Sequence, residues 1–268
     1  VSLLDLVQAD LQQVEAKMRT IGAGAYQPLA DAFLQLLGSG GKRLRPALAV
    51  AAYALFRQPT SGKAIAVAAA IETLHNATLV HDDLIDNALV RRGITTLNAQ
   101  WNKGATVLAG DYLFAQAAGF AAETGNVPVI QLFAETLRII VEGELRQLFS
   151  SRQWRQPKDA YYPRIFAKTA SLFEAATECA AELVVDDREQ VAALACFGRE
   201  LGNAFQIADD ILDFTGDADR LGKPVGSDLR SGQVTLPALL HLGDRPEAAP
   251  WLRGAAAAPT GEALDRLV

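Results

Sequence analysis

Hydrophobic positions recur at helical spacing through most of the chain, and runs of glycine, proline and polar residues separate the periodic stretches. The first stretch, Ser2 to Met18, has apolar residues three and four positions apart. Further helices are predicted at about 27–37, from near 45, and at 63–88, 95–101, 103–123, 127–150, 157–182, 187–214 and 234–241. No run alternates with the period of two that indicates half-buried strands. The pattern therefore predicts an all-α protein of antiparallel helices joined by short loops.

Composition narrows the class of protein. The chain has 268 residues, of which 50% are hydrophobic, and a net charge of −6. This is enough for one large domain over residues 1–268, and the lack of a basic stretch argues against nucleic acid as a partner. The longest apolar runs, 46–56 and 64–71, are too short to span a bilayer. Cys179 and Cys196 lie in predicted helices and are expected to be buried, reduced thiols, which favours a cytoplasmic setting.

Two aspartate groups of the same form lie far apart in the chain. The first cluster is Asp82, Asp83 and Asp86, and the second cluster is Asp209, Asp210 and Asp213. Residues four apart share a helix face, so the outer two aspartates of each cluster point the same way, with the middle one about 100° around.

A plain interpretation is that each cluster is a solvated helix face. However, both clusters have the form DDxxD and both follow apolar residues. Crowded carboxylates on an apolar helix are costly unless a cation lies beside them. If the clusters face each other, they form an oxygen-rich site for divalent cations, with Mg²⁺ the usual occupant where phosphates are bound.

Basic residues mark candidate anion sites. Lys42, Arg43 and Arg45 gather at a predicted helix start, where the helix dipole favours anions. A phosphate bound by the loop amides and these cations would explain the arrangement, whereas the plain alternative is a solvated helix terminus.

Other candidates stand near the clusters. The pair Arg91 and Arg92 follows the first cluster, and Lys168 and Lys223 are isolated cations. His75 is seven residues before Asp82, on nearly the same helix face, which favours contact with a ligand over a structural role. His81 is interpreted as structural.

At these residues the chain resembles the trans-prenyltransferases, the all-trans polyprenyl diphosphate synthases. The resemblance covers about residues 10 to 241. Its motifs are Gly40–Pro46, Leu74–Gly93 with DDLID, Gly110-Asp111-Tyr112, Phe166-Ala167-Lys168-Thr169, Gln206 with DDILD, and Gly222-Lys223-Pro224. Members of the family usually continue for several helices beyond the position of His241, so C-terminal helices are expected to be trimmed or absent here.

The resemblance implies a helical bundle around a central cavity, the isoprenoid synthase fold, and a Mg²⁺-dependent condensation of isopentenyl diphosphate onto an allylic diphosphate. About three Mg²⁺ ions per active site and a homodimer are also implied. Transfer of the product to membrane enzymes is a further expectation. The implied metal ligands are Asp82, Asp86, Asp209 and Asp213. The implied catalytic residues are Asp82, Asp83, Asp86, Lys168, Asp209 and Asp210. The implied contacts to the allylic diphosphate are Arg91, Lys168, Thr169, Gln206 and Lys223. The implied contacts to isopentenyl diphosphate are Lys42, Arg45, His75 and Arg92, with Arg43 a weaker candidate.

The resemblance also bears on product length. The growing chain is expected to run beside the helix that carries Asp82, where Thr78 and Ala77 lie roughly 6–7.5 Å deeper. Both are small, and Leu74 comes further down, so a long-chain product of roughly eight to ten isoprene units is expected. The alternatives are a short-chain synthase making farnesyl or geranylgeranyl diphosphate, and a non-catalytic subunit of a heteromeric synthase. A class I terpene cyclase is disfavoured because it should lack Gly40–Pro46 and the second cluster.

Overall fold

The structure, a computed structural model, describes residues 2–38, 40–56, 59–91, 93–150, 157–216, 225–230, 232–245, 247 and 250. The α-helices of this part are α1 (Leu3–Leu6), α2 (Gln8–Arg19), α3 (Gln27–Gly38), α4 (Leu44–Ala54), α5 (Gly62–Ile85), α6 (Leu97–Gln100), α7 (Lys103–Glu123), α8 (Val127–Ser150), α9 (Tyr161–Ile165), α10 (Ser171–Glu182), α11 (Arg188–Thr215), α12 (Ser227–Arg230) and α13 (Leu236–Asp244). The all-α prediction is confirmed.

The chain divides into two compact units. Unit 1 comprises Val1–Arg138 and Leu172–Gly198, and unit 2 comprises Ile139–Ser171 and Arg199–Val268. The first cluster belongs to unit 1 and the second cluster to unit 2.

Helix α5 is the centre of unit 1 and packs against α7, α4 and α2. Every residue from Ala64 to Leu74 is buried, because its sequence is apolar or small on nearly all sides. The helix begins at an N-cap serine, where the Oγ of Ser61 accepts a hydrogen bond from the amide of Ala64 at 3.2 Å. A buried, well-capped helix is a rigid support for the side chains at its far end.

Unit 2 has an apolar cluster around the ring of Tyr161. This ring is buried with Ile165, Leu229, Val234 and Leu239. The cluster joins α9 to the C-terminal helices α12 and α13, so it fixes the position of α9 within the unit.

Several elements depart from the sequence-based expectation. The first helix breaks at Val7, and a two-residue antiparallel hairpin, β1 (Val90–Arg91) with β2 (Ile94–Thr95), stands where a loop was predicted. The expected single helix over 157–182 contains a 3₁₀ turn, Lys158–Ala160, and a π-helical turn, Phe166–Ala170. Strands of two residues are too short for a period to register. The π turn contains no Gly or Pro that would signal an interruption of the helix.

Two smaller predictions have mixed outcomes. Cys179 is buried, and burial raises the pKa of its thiol. Cys196 is exposed, so the prediction that both thiols are buried is wrong for that residue. In the described part of the chain, no helix has the length and hydrophobicity needed to cross a membrane.

Candidate active site

The first cluster lies in the last turn of α5. Past the helix end, Asn87 adopts a left-handed φ of 52°, which Asn tolerates better than most residues. The amide of Ala88 donates to the carbonyl of Asp83 at 2.8 Å, and the amide of Asn87 donates to that of Leu84 at 3.3 Å. This is a Schellman ending. The carboxylates therefore stand at the negative end of the helix dipole, where cations are favoured.

Asp83, the middle member, is buried and paired. Its Oδ1 accepts a hydrogen bond from Nε of Arg91 on β1 at 2.7 Å. Burial raises the pKa of the Asp83 carboxyl, and the Arg91 hydrogen bond opposes that rise. Arg91, expected on the allylic diphosphate, thus holds the hairpin to the cluster in this structure.

The outer members of the first cluster are less buried. Asp82 is half-buried and Asp86, the C-cap residue, is exposed. No hydrogen bond or ion pair within the described ranges engages the Asp86 carboxylate. Beside them, Nε2 of His81 lies 3.1 Å from the carbonyl of Val107, and its ring occupies the space that a Cβ on Gly110 would need. This packing favours the structural interpretation of His81.

The second cluster lies near the end of α11, and its middle member is again buried. Asp210 accepts two hydrogen bonds, from the Tyr161 hydroxyl to Oδ2 at 2.7 Å and from Nε2 of Gln206 to Oδ1 at 2.8 Å. The amide oxygen of Gln206 then accepts a hydrogen bond from the Thr169 hydroxyl at 2.6 Å. Asp209, one position earlier on the helix, is exposed.

Tyr161 and Arg164 were missed by sequence reasoning. Burial raises the pKa of the Tyr161 phenol, with the Asp210 hydrogen bond adding to it, so the hydroxyl remains a donor. The guanidinium of Arg164 lies over the Tyr161 ring at 5.6 Å and donates to the carbonyl of Val234 at 2.5 Å. A tyrosine pair at the start of a helix carries no signal of this role, since its partner is some fifty residues away.

Asp213, the last member of the second cluster, is fully buried. Its Oδ1 accepts a hydrogen bond from the Ser227 hydroxyl at 2.7 Å, and its Oδ2 accepts one from the amide of Asp228 at 3.1 Å. Its carbonyl also accepts from the amide of Gly226 at 2.7 Å. These contacts make Asp213 an anchor for the start of α12, although the resemblance had implied a metal ligand.

Arg43 is held by protein groups within the basic loop, residues 40–45, which leads into the first turn of α4. It has a left-handed φ of 48°, and such strain persists only where neighbouring groups hold it. Its guanidinium donates to buried Glu72 at 2.7 Å, to Glu15 at 3.3 Å and to the carbonyl of Leu37 at 2.9 Å. These contacts explain the three-cation motif in part without an anion, and they leave Arg43 little capacity to bind one.

The other two cations of the loop have different surroundings. Lys42 is exposed, whereas the guanidinium of Arg45 lies 4.8 Å from the ring centre of Phe173. Since Glu72 precedes His75 by three residues on α5, the Arg43–Glu72 pair ties the basic loop to the helix turn that carries His75.

Lys168 and Thr169 belong to the π-helical turn of unit 2. Lys168 is exposed, and Thr169 is buried with its hydroxyl on Gln206. Helix α8 approaches this turn closely, because a Cβ on Gly143 would lie 2.4 Å from that of Ala167. Single π turns inside helices are frequent at functional sites.

The residues expected to set product length lie on α5. Ala77 and Leu74 are completely buried, and Thr78 is half-buried with its hydroxyl donating to the carbonyl of His75 at 2.8 Å. Thr78 therefore shares the partly exposed face of Asp82, as the helical wheel predicts. Arg92 and Lys223 lie outside the described residues.

The more exposed carboxylates of the two clusters fit a divalent cation. Asp82, Asp86 and Asp209 offer hard oxygen ligands near helix C-termini, which suits Mg²⁺. Within the described ranges, no three His, Cys, Asp or Glu side chains are grouped as a ready-made metal site. A cation at the carboxylates of either cluster would thus draw further oxygens from a bound diphosphate or water, as Mg²⁺ commonly does.

Comparisons with known proteins identify the family of the chain. A family model described as polyprenyl synthetase matches residues 26–262. Heptaprenyl diphosphate synthase component 2 of Geobacillus stearothermophilus is 41% identical over 243 residues, which are 91% of this chain and 76% of that protein. Octaprenyl diphosphate synthase of Escherichia coli is 38% identical over 249 residues, 92% of this chain and 74% of that protein. A polyprenyl synthase from Caulobacter crescentus, solved with calcium and isoprenyl diphosphate, has 35% identity and a TM-score of 0.89, covering 98% of this chain and 81% of that one.

The chain belongs to the polyprenyl synthetase family. Its fold is that of the solved polyprenyl synthases, and the predicted class, an enzyme that transfers prenyl groups to make polyprenyl diphosphates, is confirmed. The named relatives favour the long-chain type over the short-chain alternative.

Proposed function

We propose that the chain condenses isopentenyl diphosphate onto an allylic diphosphate with Mg²⁺, and that both clusters act on the allylic diphosphate. One observation carries the assignment of roles. In each cluster the middle aspartate is buried and hydrogen-bonded, at 2.7 Å to Arg91 for Asp83 and at 2.7 Å to Tyr161 for Asp210. The first aspartate is more exposed in both clusters. The proposed metal-binding set is Asp82, Asp86 and Asp209, with Asp213 reassigned to anchoring.

The proposed mechanism divides the charged residues between two diphosphates. Bound Mg²⁺ would supply positive charge to a departing diphosphate and so favour cleavage of the allylic C–O bond. Lys168 would contact that diphosphate directly, with Lys223 a further proposed contact. Thr169, whose hydroxyl donates to Gln206, would hold the π-helical turn that presents Lys168. Lys42, Arg45 and His75, with Arg92, would hold isopentenyl diphosphate so that its double bond lies close to the allylic carbon.

The reaction ends with loss of a proton from the new C–C linkage. No protein base is assigned among the described residues, so released diphosphate is the proposed acceptor. The solved relative with calcium and isoprenyl diphosphate supports a diphosphate site in this fold.

Long products are the proposed outcome for two reasons. The relatives that share 41% and 38% identity are named as a heptaprenyl diphosphate synthase component and an octaprenyl diphosphate synthase, and α5 has small residues at Ala77 and Thr78. An aromatic side chain at either position would fill space along the proposed path of the product. Thr78→Phe is the cleaner change, since Ala77 is completely buried and Ala77→Tyr must also displace core packing.

A homodimer in the cytoplasm is part of the proposal. Apolar side chains are exposed in unit 1 on α7 and the first half of α8, including Leu108 at 69% and Val127 at 62%. Such patches favour association between subunits. One relative is named a component 2, which favours a test for a second polypeptide as well.

The test is incorporation of radiolabelled isopentenyl diphosphate with geranyl, farnesyl or geranylgeranyl diphosphate as primer, with and without Mg²⁺. The expected result is a Mg²⁺-dependent product ladder ending beyond geranylgeranyl diphosphate, shortened in Thr78→Phe. A ladder that stops at geranylgeranyl diphosphate would refute the long-chain assignment. No incorporation by the chain alone at any primer would refute the proposal of an independently active enzyme.

A further inference from the structure

The second cluster is held by a hydrogen-bond chain that begins at Tyr161. The ring of this residue is 1% exposed and packs against Ile165, Leu229 and Val234. Its hydroxyl reaches Oδ2 of Asp210 at 2.7 Å. A ring fixed by packing on all sides gives the hydroxyl a single direction, so the hydrogen bond also fixes the carboxylate that accepts it.

The second step of the chain passes through Gln206. A carboxylate only accepts hydrogen bonds, so the amide NH₂ of Gln206 must face Oδ1 of Asp210, at 2.8 Å. The amide oxygen then faces the hydroxyl of Thr169, at 2.6 Å. The orientation of Asp210 thus sets the orientation of Gln206 and of Thr169, which adjoins Lys168 on the π-helical turn.

The same carboxylate is also next to Asp209 on α11. Asp209 and Asp210 are consecutive on this helix and their side chains point about 100° apart. Because Asp210 is drawn inward at 2% exposure, Asp209 is turned to the exposed face. A change in the tie between Tyr161 and Asp210 would therefore reach both Asp209 and Thr169.

We propose that Tyr161 is a positioning residue for the allylic diphosphate, one that aims Asp209 through Asp210 and holds Thr169 through Gln206. The proposal rests on the proposed function for its substrate. Tyr161 itself touches neither substrate nor metal in this proposal, and its effect is carried by the two residues it orients.

The test compares Tyr161→Phe with Tyr162→Phe. Both changes remove one hydroxyl and keep the ring, and Tyr162 is a matched neighbour that is 43% exposed, with its ring 5.5 Å from that of Tyr161. Mn²⁺ affinity, measured by electron paramagnetic resonance with inorganic diphosphate present, should fall about tenfold in Tyr161→Phe, as expected for a lost hydrogen bond to a charged group. Under steady-state conditions kcat should fall by about the same factor, with the KM for isopentenyl diphosphate unchanged. Tyr162→Phe should match wild type in all three quantities.

Equal Mn²⁺ affinities in the two variants would overturn the proposal, and so would an equal rise in both KM values with kcat unchanged. A double-mutant cycle keeps the test decisive if Tyr161→Phe also lowers stability. In an Asp210→Asn background, Tyr161→Phe should cause little further loss of Mn²⁺ affinity, whereas a full additional loss would contradict transmission through Asp210. If wild type binds Mn²⁺ and diphosphate but condenses nothing, the proposed function fails while the comparison of the two tyrosine variants still decides the role of Tyr161.

Discussion

The two aspartate clusters have the same sequence form but differ in the burial and contacts of their members. In the first cluster the last member, Asp86, caps α5 and is exposed, whereas in the second cluster the last member, Asp213, is buried on Ser227 and Asp228. The helix end accounts for the difference. Helix α5 ends at Ile85, inside its cluster, while α11 continues to Thr215, beyond its cluster. Asp86 faces solvent at the cap of α5, whereas Asp213 lies within α11 and is covered by the start of α12.

The middle members show a second difference. Asp83 is held by a charged group, Arg91, and Asp210 is held by two neutral donors, Tyr161 and Gln206. The first cluster thus has its own cation within the protein. Near the second cluster, the guanidinium of Arg164 interacts electrostatically with Asp210.

The largest effect is expected from removing the first member of either cluster. Asp82→Asn or Asp209→Asn should lower kcat/KM by several orders of magnitude, because each loses a proposed ligand, and each factor of ten is about 1.4 kcal/mol. Steady-state condensation at saturating Mg²⁺ measures it. Near-wild-type rates in either variant would remove that cluster from the proposed metal site.

The basic loop sharpens the comparison, because it is proposed to bind its diphosphate without metal. Lys42→Ala or Arg45→Ala should raise the KM for isopentenyl diphosphate by about tenfold, more than the KM for the allylic primer, as for a lost charge-assisted contact. Arg43→Met serves as the comparison, since its expected effect is on the melting temperature through loss of its contacts to Glu72 and Leu37. Equal increases for both substrates in Lys42→Ala would show that the pockets are assigned wrongly.

The aspartates show how far the sequence could predict the differences between the two clusters. The hydrophobic periodicity predicted α5 and α11, and the DDxxD spacing predicted both clusters. Both patterns are local features of the sequence. The spacing alone made Asp86 and Asp213 equivalent. Their difference comes from Asn87, which ends α5 in a left-handed turn, and from Ser227, fourteen residues after Asp213. The π-helical turn at Lys168 and the partnership of Tyr161 with Asp210 depend on tertiary packing, which no local pattern records.

A moderate effect on stability should separate the last members. Asp213→Asn should lower the free energy of unfolding by about 2 kcal/mol. The Ser227 hydroxyl and the Asp228 amide both donate to the carboxylate, and the NH₂ of asparagine would place a donor against one of them. For a protein of this size that loss of stability is a fall in Tm of roughly 4–8 °C. Asp86→Asn, at an exposed cap, should leave Tm nearly unchanged. Thermal unfolding without Mg²⁺ measures both, and equal Tm values would contradict the anchoring role of Asp213.

The smallest effect concerns Arg91. Arg91→Gln should lower the free energy of unfolding by about 1 kcal/mol near neutral pH. Solvent partly screens the Arg91–Asp83 pair, but removal of Arg91 leaves the buried Asp83 carboxylate without its charged partner. Burial already raises the pKa of Asp83, and loss of Arg91 should raise it further. The deficit should therefore vanish toward about pH 3, where Asp83 is protonated in both folded and unfolded states, and grow as pH rises. Denaturant unfolding across this range tests the sign. Adding Asp83→Asn to the Arg91→Gln variant should remove the pH dependence of this loss of stability. A loss of stability that grows toward acidic pH would contradict the role given to the Arg91–Asp83 pair.

The contrast between Asp86 and Asp213 is tested most directly by the Mg²⁺-dependent binding of an unreactive allylic thiolodiphosphate. Titration calorimetry measures this binding at a temperature where every variant is folded. Asp86→Asn should weaken this Mg²⁺-dependent binding by about tenfold or more, as for the loss of one charged ligand. Asp213→Asn should bind within a few-fold of wild type despite its lower Tm. If Asp213→Asn loses binding as strongly as Asp86→Asn, the two clusters work alike and the anchoring role assigned to Asp213 is wrong.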